Sequence, residues 1–301
     1  MSKFIMMMGL PASGKSTIAN ELSIKENAII HSSDNLRKEL FGNDEDQNDN
    51  NRLFKELHKR IKKDLVDNKN VIYDATNISY KRRKSFLEEI YKITDEKICY
   101  LIATPFEECL KQNKNRERKV PESAIKKMYL SFYIPQHYEG WDKIEIIYNT
   151  NNKFDTHMLF NGENGLNYIE QNNPNHTLTI GKHCLKCCDI CEQLIDDFEL
   201  NIAALYHDIG KKFTKQFKNM KGEDTEIAHY YNHHFVSAYE SLFYLKDLLK
   251  ENILNITNYI QWHMQPFFIE TDKSKNKFIN LVGEEFYNKL MILNKADINA
   301  K

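Results

Sequence analysis

The chain has 301 residues, 41% of them hydrophobic and 28% charged, which is a globular and not a disordered composition. That length allows two domains of ordinary size, each with its own core. A net charge of −1 excludes a global pull toward nucleic acid, so any such binding must come from a local patch. The halves differ in stock. Residues 1–150 hold 26 Lys and Arg against 23 Asp and Glu, and residues 151–301 hold 16 against 20. All seven arginines lie at or before Arg118, while eight of the eleven histidines lie at or after His157. The first half is stocked for phosphate, the second for metal or proton chemistry. Residues 1–4 have no signal-peptide architecture, and the apolar run 4–10 is too short to span a membrane, so a cytoplasmic protein without a membrane partner is expected.

The first element is an apolar strand over residues 4–8. It runs into Gly9-Leu10-Pro11-Ala12-Ser13-Gly14-Lys15-Ser16-Thr17, which fits G-x-x-x-x-G-K-[ST], and a helix opens at Thr17. A strand, a glycine-rich turn and a helix start surround phosphates with backbone N–H groups and a positive helix end. Gly9, Ala12, Ser13, Gly14, Lys15, Ser16 and Thr17 are therefore the expected ATP-binding residues. Lys15 would reach the β- and γ-phosphates and the Ser16 hydroxyl would hold Mg²⁺.

A second strand, 27–31, ends in Ser32-Ser33-Asp34-Asn35-Leu36-Arg37. Strand ends facing a P-loop are where acceptor chemistry sits. Asp34 is the expected general base for an attacking hydroxyl, with a helix N-cap as its structural alternative. Arg37 would grip an acceptor phosphate. Residues 42–51 read as a polar surface loop. A basic amphipathic helix over 52–68 follows, with Lys59, Arg60, Lys62 and Lys63 on what reads chiefly as a solvated face. The third strand, 71–73, ends in Asp74-Ala75-Thr76-Asn77, small polar groups suited to an acceptor. A fourth strand spans 98–103, with a helix from Thr104-Pro105. Residues 112–121 are Arg- and Lys-dense and read as a mobile lid, whose arginines would stabilise charge on the transferring phosphoryl group. A fifth strand, 141–148, completes a parallel sheet with helices on both faces.

These motifs together (GLPASGKST, SSDNLR, DATN and the NRERKVP lid) resemble the polynucleotide 5′-kinase group of P-loop phosphotransferases, the phage end-healing enzymes included. The resemblance covers residues 1–150. It implies Asp34 as general base, Arg37 as the clamp on the acceptor phosphate, Thr76 and Asn77 near the acceptor, and Arg116 as a lid arginine. Gln112 stands where the phage pattern has a second lid arginine, and Arg118 is its candidate substitute. Small-molecule kinases share much of this pattern, so it specifies the reaction better than the acceptor.

Residues 151–171 are polar and break the strand–helix rhythm, which reads as a linker. From 172 to 301 every segment steps by three and four, helix throughout with no strand signal. Cys184, Cys187, Cys188 and Cys191 follow the same step and read as a helix face of small apolar residues rather than a metal cluster. His183, His207, His233 and His263 fall at helical positions. His207 is followed by Asp208, and Gly210-Lys211 ends that helix with glycine where a left-handed cap is wanted. Asp297 stands in a late helix. Nitrogens and carboxylates from separate helices converging in a bundle make metal sites.

This half resembles the HD-domain metal phosphohydrolases. The resemblance implies that His183, His207, Asp208 and Asp297 hold one ion. His233 and His263 add a second, with Asp208 shared, and Lys211 holds a phosphate oxygen. His233 is chosen over its neighbours His229 and His234 because Ser237-Ala238 follows it at the family's spacing; His176 is taken as structural. Mn²⁺, Ni²⁺, Co²⁺, Fe²⁺ and Zn²⁺ all suit such a donor set. The expected architecture is an α/β P-loop kinase domain, an intervening linker and an all-α HD bundle. The expected function is healing of nucleic-acid ends. ATP-dependent phosphorylation of an RNA or DNA 5′-hydroxyl would accompany removal of a 2′- or 3′-phosphate or opening of a 2′,3′-cyclic phosphate. An RNA or DNA ligase would act downstream. A nucleoside or small-molecule kinase with an HD nucleotidase, and a non-catalytic nucleotide-sensing regulator, are the alternatives. The sequence leaves RNA versus DNA and the oligomeric state open.

Overall fold

A computed structural model describes residues 2–43, 49–174 and 176–301; part of the expected 42–51 loop and Asn175 lie outside them. The chain falls into two compact units. The first comprises residues 1–128 and 135–150, the second residues 129–134 and 151–301.

In the first unit β1 (Lys3–Met8) leads through the glycine loop to α1 (Lys15–Lys25), then β2 (Ala28–Ser32) and α2 (Ser33–Phe41). They are followed by α3 (Asn50–Val66), β3 (Asn70–Asp74), α4 (Tyr80–Ile90), β4 (Glu96–Ala103), α5 (Phe106–Asn115), α6 (Glu122–Tyr129) and β5 (Lys143–Tyr148). The sheet order is β2-β3-β1-β4-β5, with every pairing parallel. Parallel strands joined by crossover helices must be covered on both faces, and β1 meets that demand residue by residue. Ile5 and Met7 pack with Ala19 and Leu22 of α1. Phe4 points the other way, 5.5 Å from the Phe86 ring of α4 and stacked 6.5 Å from Trp141. The register aligns Met7 and Ser32 with Asp74, so the loops after β1, β2 and β3 leave one edge of the sheet together. That common carboxyl edge is where ligands bind in open α/β sheets.

The expected helix over 52–68 is α3, with Leu53, Leu57, Ile61 and Leu65 buried. Its basic face is engaged within the unit: Arg60 pairs with Glu39 and Glu56, and Lys62 with Glu89. One buried ion pair fastens the region behind the sheet. Arg83 donates Nε and Nη2 to the Glu139 carboxylate at 2.7 and 2.6 Å, and Nη1 to the Asn77 carbonyl at 2.9 Å. Both side chains are 1% exposed. An Arg83→Met protein would strand the Glu139 charge and should lose about 3–5 kcal/mol of stability, read as a lower urea midpoint.

The second unit contains α7 (Thr156–Asn161), α8 (Ile180–Leu194), α9 (Phe198–Tyr206), α10 (Lys211–Thr214), β6 (Gln216–Lys218) and β7 (Asp224–His229). It continues with α11 (His233–Tyr244), α12 (Lys250–Trp262), α13 (Asp272–Val282) and α14 (Glu284–Asn299). The side chains of Thr179 and Asp197 cap α8 and α9. Cys184, Cys187 and Cys191 are buried along α8, and the described cysteines are free thiols.

Three expectations are corrected. The helical half includes a two-stranded antiparallel hairpin, β6–β7, turning at Gly222 with φ +84°. Residues 151–171 are part of the helical unit: Phe154 stacks on Phe243, and Leu159, Phe160 and Leu166 are buried. Gly210 is not a left-handed cap, since its φ is −62°. Glycine stands there for space: a Cβ would lie 2.3 Å from the His233 carbonyl oxygen and 2.5 Å from the Ser237 nitrogen. Residues 129–134 also belong to this unit. Phe132 is buried against Tyr239 with ring centroids 4.7 Å apart. Tyr129 donates its hydroxyl to Glu240 on α11, and the Ile134 N–H donates to Gln261 on α12 at 3.0 Å.

Candidate active sites

The glycine loop is shaped by close approach. A Cβ on Gly9 would lie 2.6 Å from Ser13 Oγ. Gly14 has φ +90°, and a Cβ there would lie 2.6 Å from Asn149 Nδ2. The loop is pinned at the Ser13 carbonyl, which accepts from Thr104 Oγ1 and Asn149 Nδ2, each at 2.9 Å. Ala12 takes φ +61°, completing the curl. The first N–H of α1 to bond back along the chain is that of Ile18, to the Gly14 carbonyl. The N–H groups of Lys15, Ser16 and Thr17 therefore face outward at the positive end of the helix, an anion-binding arrangement.

Lys15 is buried, with Nζ donating to the Leu10 carbonyl at 2.6 Å. Burial lowers its pKa, and the nearby Asp74 carboxylate opposes that shift. Ser16 Oγ donates to Asp74 Oδ2 at 2.8 Å. Burial raises the Asp74 pKa against the pull of Lys15 and Ser16. A hydroxyl oxygen beside a carboxylate oxygen is the hard donor set Mg²⁺ takes, so the residues fit that ion. Asp74 is absent from the sequence-based set. Its signal was a carboxylate closing the apolar run 71–73, the pattern of a magnesium-side strand end.

Asp34 lies in the first turn of α2, whose N-cap is Ser32, so Asp34 is not the cap. Its carboxylate pairs with the Arg118 guanidinium, and Arg116 Nε donates to the Arg118 carbonyl. Asp34 and Arg116 both act electrostatically on Lys15. Asp34, Arg116 and Arg118 are thus brought together, with Asp34 and Arg116 near enough to Lys15 to act on its charge, while Gln112 is exposed on α5. Arg37 is buried on α2, donating Nη1 to Asn50 Oδ1 at 3.0 Å. Asn77 donates its amide to the Met7 carbonyl at 2.8 Å, and the Thr76 carbonyl accepts from the Gly9 N–H. Both brace the loop, and both line a cavity of about 470 Å³ together with Asn51, Phe54, His58 and Arg82.

In the helical unit six side chains from five segments meet. The Nε2 atoms of His183 and His207 lie 3.2 Å apart, as do those of His233 and His263. Asp208 stands between the pairs. Its Oδ2 is 3.2 Å from His183 Nε2, and its Oδ1 is 3.1 Å from His233 Nε2. Asp297 Oδ1 joins the first pair, 3.1 Å from His183 Nε2. Each imidazole donates Nδ1–H to a backbone carbonyl: His183 to Ala300, His207 to Ala204, His233 to Tyr230 and His263 to Ile260, at 2.7 to 3.0 Å. In a neutral ring this leaves Nε2 as the lone-pair nitrogen, the form in which each of the four can ligate a metal. Two facing lone pairs cannot hydrogen-bond to each other. A cation satisfies both, so the donor set fits divalent metal, with His183, His207 and Asp297 as one group and Asp208, His233 and His263 as the other.

Burial alone would raise the Asp208 carboxyl pKa. Lys211 and the surrounding imidazoles instead hold it well below the usual carboxylate range. With protons as the only cations, burial opposes charge on His183, but Asp208 and Asp297 outweigh it and lift its pKa to about 9; a metal ion held there would take the place of that Nε2 proton. For His263, burial and its histidine neighbours depress the pKa to about 3. Lys211 Nζ lies 2.6 Å from Asp208 Oδ2 and donates to Gln171 at 2.8 Å. His234 packs on Phe235 instead of facing Asp208. Ser237 Oγ accepts the Gly210 N–H at 2.8 Å, clamping the start of α11 against the turn that carries Asp208.

Residues 4–135 match the family model of the AAA domain, and residues 180–299 match that of the HD domain. Over 246 residues the chain is 26% identical to the L-seryl-tRNA(Sec) kinase of Methanococcus maripaludis, covering 74% of this chain and 93% of that protein. Over 152 residues it is 27% identical to protein kti12 of Schizosaccharomyces pombe, covering 46% and 54% respectively. Among solved structures it is similar to a chain of the Pnkp1/Rnl/Hen1 RNA repair complex, at 27% identity over 42% of each chain with a TM-score of 0.39. It is also similar to a putative kinase from Chloroflexus aurantiacus, at 15% identity over 50% of this chain and 86% of that one, TM-score 0.42. The chain thus spans less than half of the repair-complex chain and about half of the yeast protein. Among the described residues no helix is long and apolar enough to cross a membrane.

Proposed function

We propose that this chain, in which a P-loop kinase domain of the AAA type is joined to an HD domain, heals nucleic-acid ends. The kinase centre would phosphorylate a 5′-hydroxyl from ATP, and the HD centre would remove a 2′- or 3′-phosphate or open a 2′,3′-cyclic phosphate. A ligase would then receive joinable ends. The observation that carries this reading is that one chain holds two centres of opposite sense, one suited to adding a phosphate and one to removing it. Two such centres make a futile pair on a single hydroxyl but a consistent pair on the opposite ends of a broken strand.

In the kinase centre, Lys15 and the N–H groups of residues 14–17 hold the β- and γ-phosphates, with Ser16 and Asp74 toward Mg²⁺. Asp34 accepts the proton of the attacking hydroxyl once Arg118 swings from it to the transferring phosphoryl group beside Arg116. Arg37, Thr76 and Asn77 stand on the acceptor side, and the 470 Å³ cavity beside Thr76 has the aromatic lining and basic rim that suit a nucleotide. In the HD centre, His183, His207, Asp208 and Asp297 would hold one divalent ion, and His233, His263 and the shared Asp208 a second. Such ions lower the pKa of water toward 7 and polarise a phosphoryl oxygen. Lys211 holds a phosphate oxygen and keeps Asp208 ionised.

The seryl-tRNA kinase likeness favours a second reading, in which the acceptor hydroxyl belongs to an amino acid carried on tRNA. One assay separates these readings. Labelled ATP is offered to a 5′-hydroxyl oligonucleotide, a nucleoside, a seryl-tRNA and no acceptor. Label on the oligonucleotide is expected; label on the nucleoside or the seryl-tRNA alone would sink the end-healing reading.

A further inference from the structure

Exposed phenylalanines follow two residues of the HD centre closely along the chain. Phe213 and Phe217 follow Lys211 along α10 and β6 and are 41% and 44% exposed. Phe267 and Phe268 follow His263 and are 48% and 66% exposed. Phe198 is the other phenylalanine of comparable exposure among the described residues. A single exposed aromatic ring is ordinary on a folded surface; exposed phenylalanines grouped in two segments adjoining one site are less so. Chain length alone keeps Phe213 and Phe267 within about 15 Å of Lys211 and His263.

Charge says what covers them. Between residues 211 and 229 there are five lysines and three acids, in a half-chain that is acidic overall. Lys218 and Lys221 are exposed on this arm. Lys215 Nζ lies 5.8 Å over the Phe217 ring and donates to the Glu170 carbonyl and to Asn172, which places a cation beside that ring. The hairpin leaves the fold just after Lys211 and returns just before His233, so both of its ends are tied to the metal-site residues. Rings that offer a flat face, interleaved with lysines, are the pattern that binds single-stranded nucleic acid, because every base has a π face and every linkage a charge.

We infer that the hairpin arm and the 265–268 turn form a stacking surface for the single-stranded nucleotides preceding the terminal phosphate at the HD centre. This deepens the end-healing reading and rests on it. A mononucleotide has no such preceding bases and would make no use of the surface.

The test compares the full-length protein with a Phe217→Ala/Phe268→Ala variant, in Mn²⁺, on a 3′-phosphorylated decaribonucleotide and on a 3′-mononucleotide. Both positions are exposed, and matching melting curves establish that the variant is folded. The expected result is a fall in kcat/KM on the decamer of roughly ten- to a hundredfold, with mononucleotide hydrolysis unchanged. A Lys218→Ser/Lys221→Ser variant should show a flatter salt dependence on the decamer alone. Equal losses on both substrates, or an unchanged decamer preference, overturn the inference while leaving end healing standing. A parent enzyme that shows no decamer preference overturns both. If the phenylalanine variant instead changes sedimentation from dimer to monomer with decamer rates intact, the surface belongs to a second copy and the inference fails.

Discussion

An Asp208→Ala protein is expected to lose HD phosphatase activity by more than about a hundredfold, beyond what loss of an outer-shell partner of a metal costs, and to keep its kinase activity. Asp208 turns one carboxylate oxygen to each histidine pair, at 3.2 and 3.1 Å. Without it the pairs share no ligand, and the buried Lys211 ammonium loses a partner 2.6 Å away. The same variant should therefore carry less than half the parent's divalent metal after dialysis, measured by elemental analysis. Asp208→Asn keeps the volume and removes the charge, so it separates lost ligation from lost packing. If kinase activity fell in parallel with phosphatase activity in the isosteric variant, two independent centres would be the wrong picture.

Lys15→Ala should do the converse, lowering kinase kcat by roughly a hundred- to a thousandfold, the loss typical of removing one preorganised donor to a developing charge. Lys15 is buried, its ammonium held against the Leu10 carbonyl and beside Asp74. It would therefore meet a γ-phosphoryl group with its desolvation already met in the fold. The P-loop backbone is pinned independently by Thr104 and Asn149. Binding of a non-hydrolysable ATP analogue should accordingly weaken far less than turnover. Phosphatase activity within about twofold of the parent would serve as the folding control. A Lys15→Ala protein with undiminished label transfer would remove the P-loop from the reaction altogether.

Both centres were legible because their signals are local. Gly9 to Thr17 is contiguous, and its glycines are demanded by contacts that a Cβ would violate. The strand–helix alternation of residues 1–150 follows from apolar runs that must be buried on both faces. The HD residues are dispersed, yet His183, His233 and Asp297 fall on helices and His207, Asp208 and His263 in the turns that end α9 and α12, so a reading at helical positions came within a residue or two of each. What escaped is what depends on pairing across the fold. Asp74 reads like any strand-end acid until Ser16 is found 2.8 Å away. The hairpin β6–β7 has Ala228 as its buried apolar residue, so no alternation marks it. The Nδ1–H bonds of the four clustered histidines go to backbone carbonyls, which carry no sequence signal. Gly210 was identified as special but for the wrong cause, because crowding by α11 is invisible along the chain.

Residues 129–134 carry a consequence for how this protein can be taken apart. The backbone passes from one unit to the other three times, after residues 128, 134 and 150. A fragment cut at residue 151 would not be the helical domain but that domain with a wedge pulled out. Phe132 would leave a void beside Tyr239, and the buried Glu240 would surrender the hydroxyl of Tyr129. Gln261 would lose the backbone of Ile134, two positions before His263. Any exchange of halves between such proteins, in the laboratory or in evolution, has to carry this hexapeptide with the recipient's α11 and α12. The two units are thus interleaved along the chain and not laid end to end.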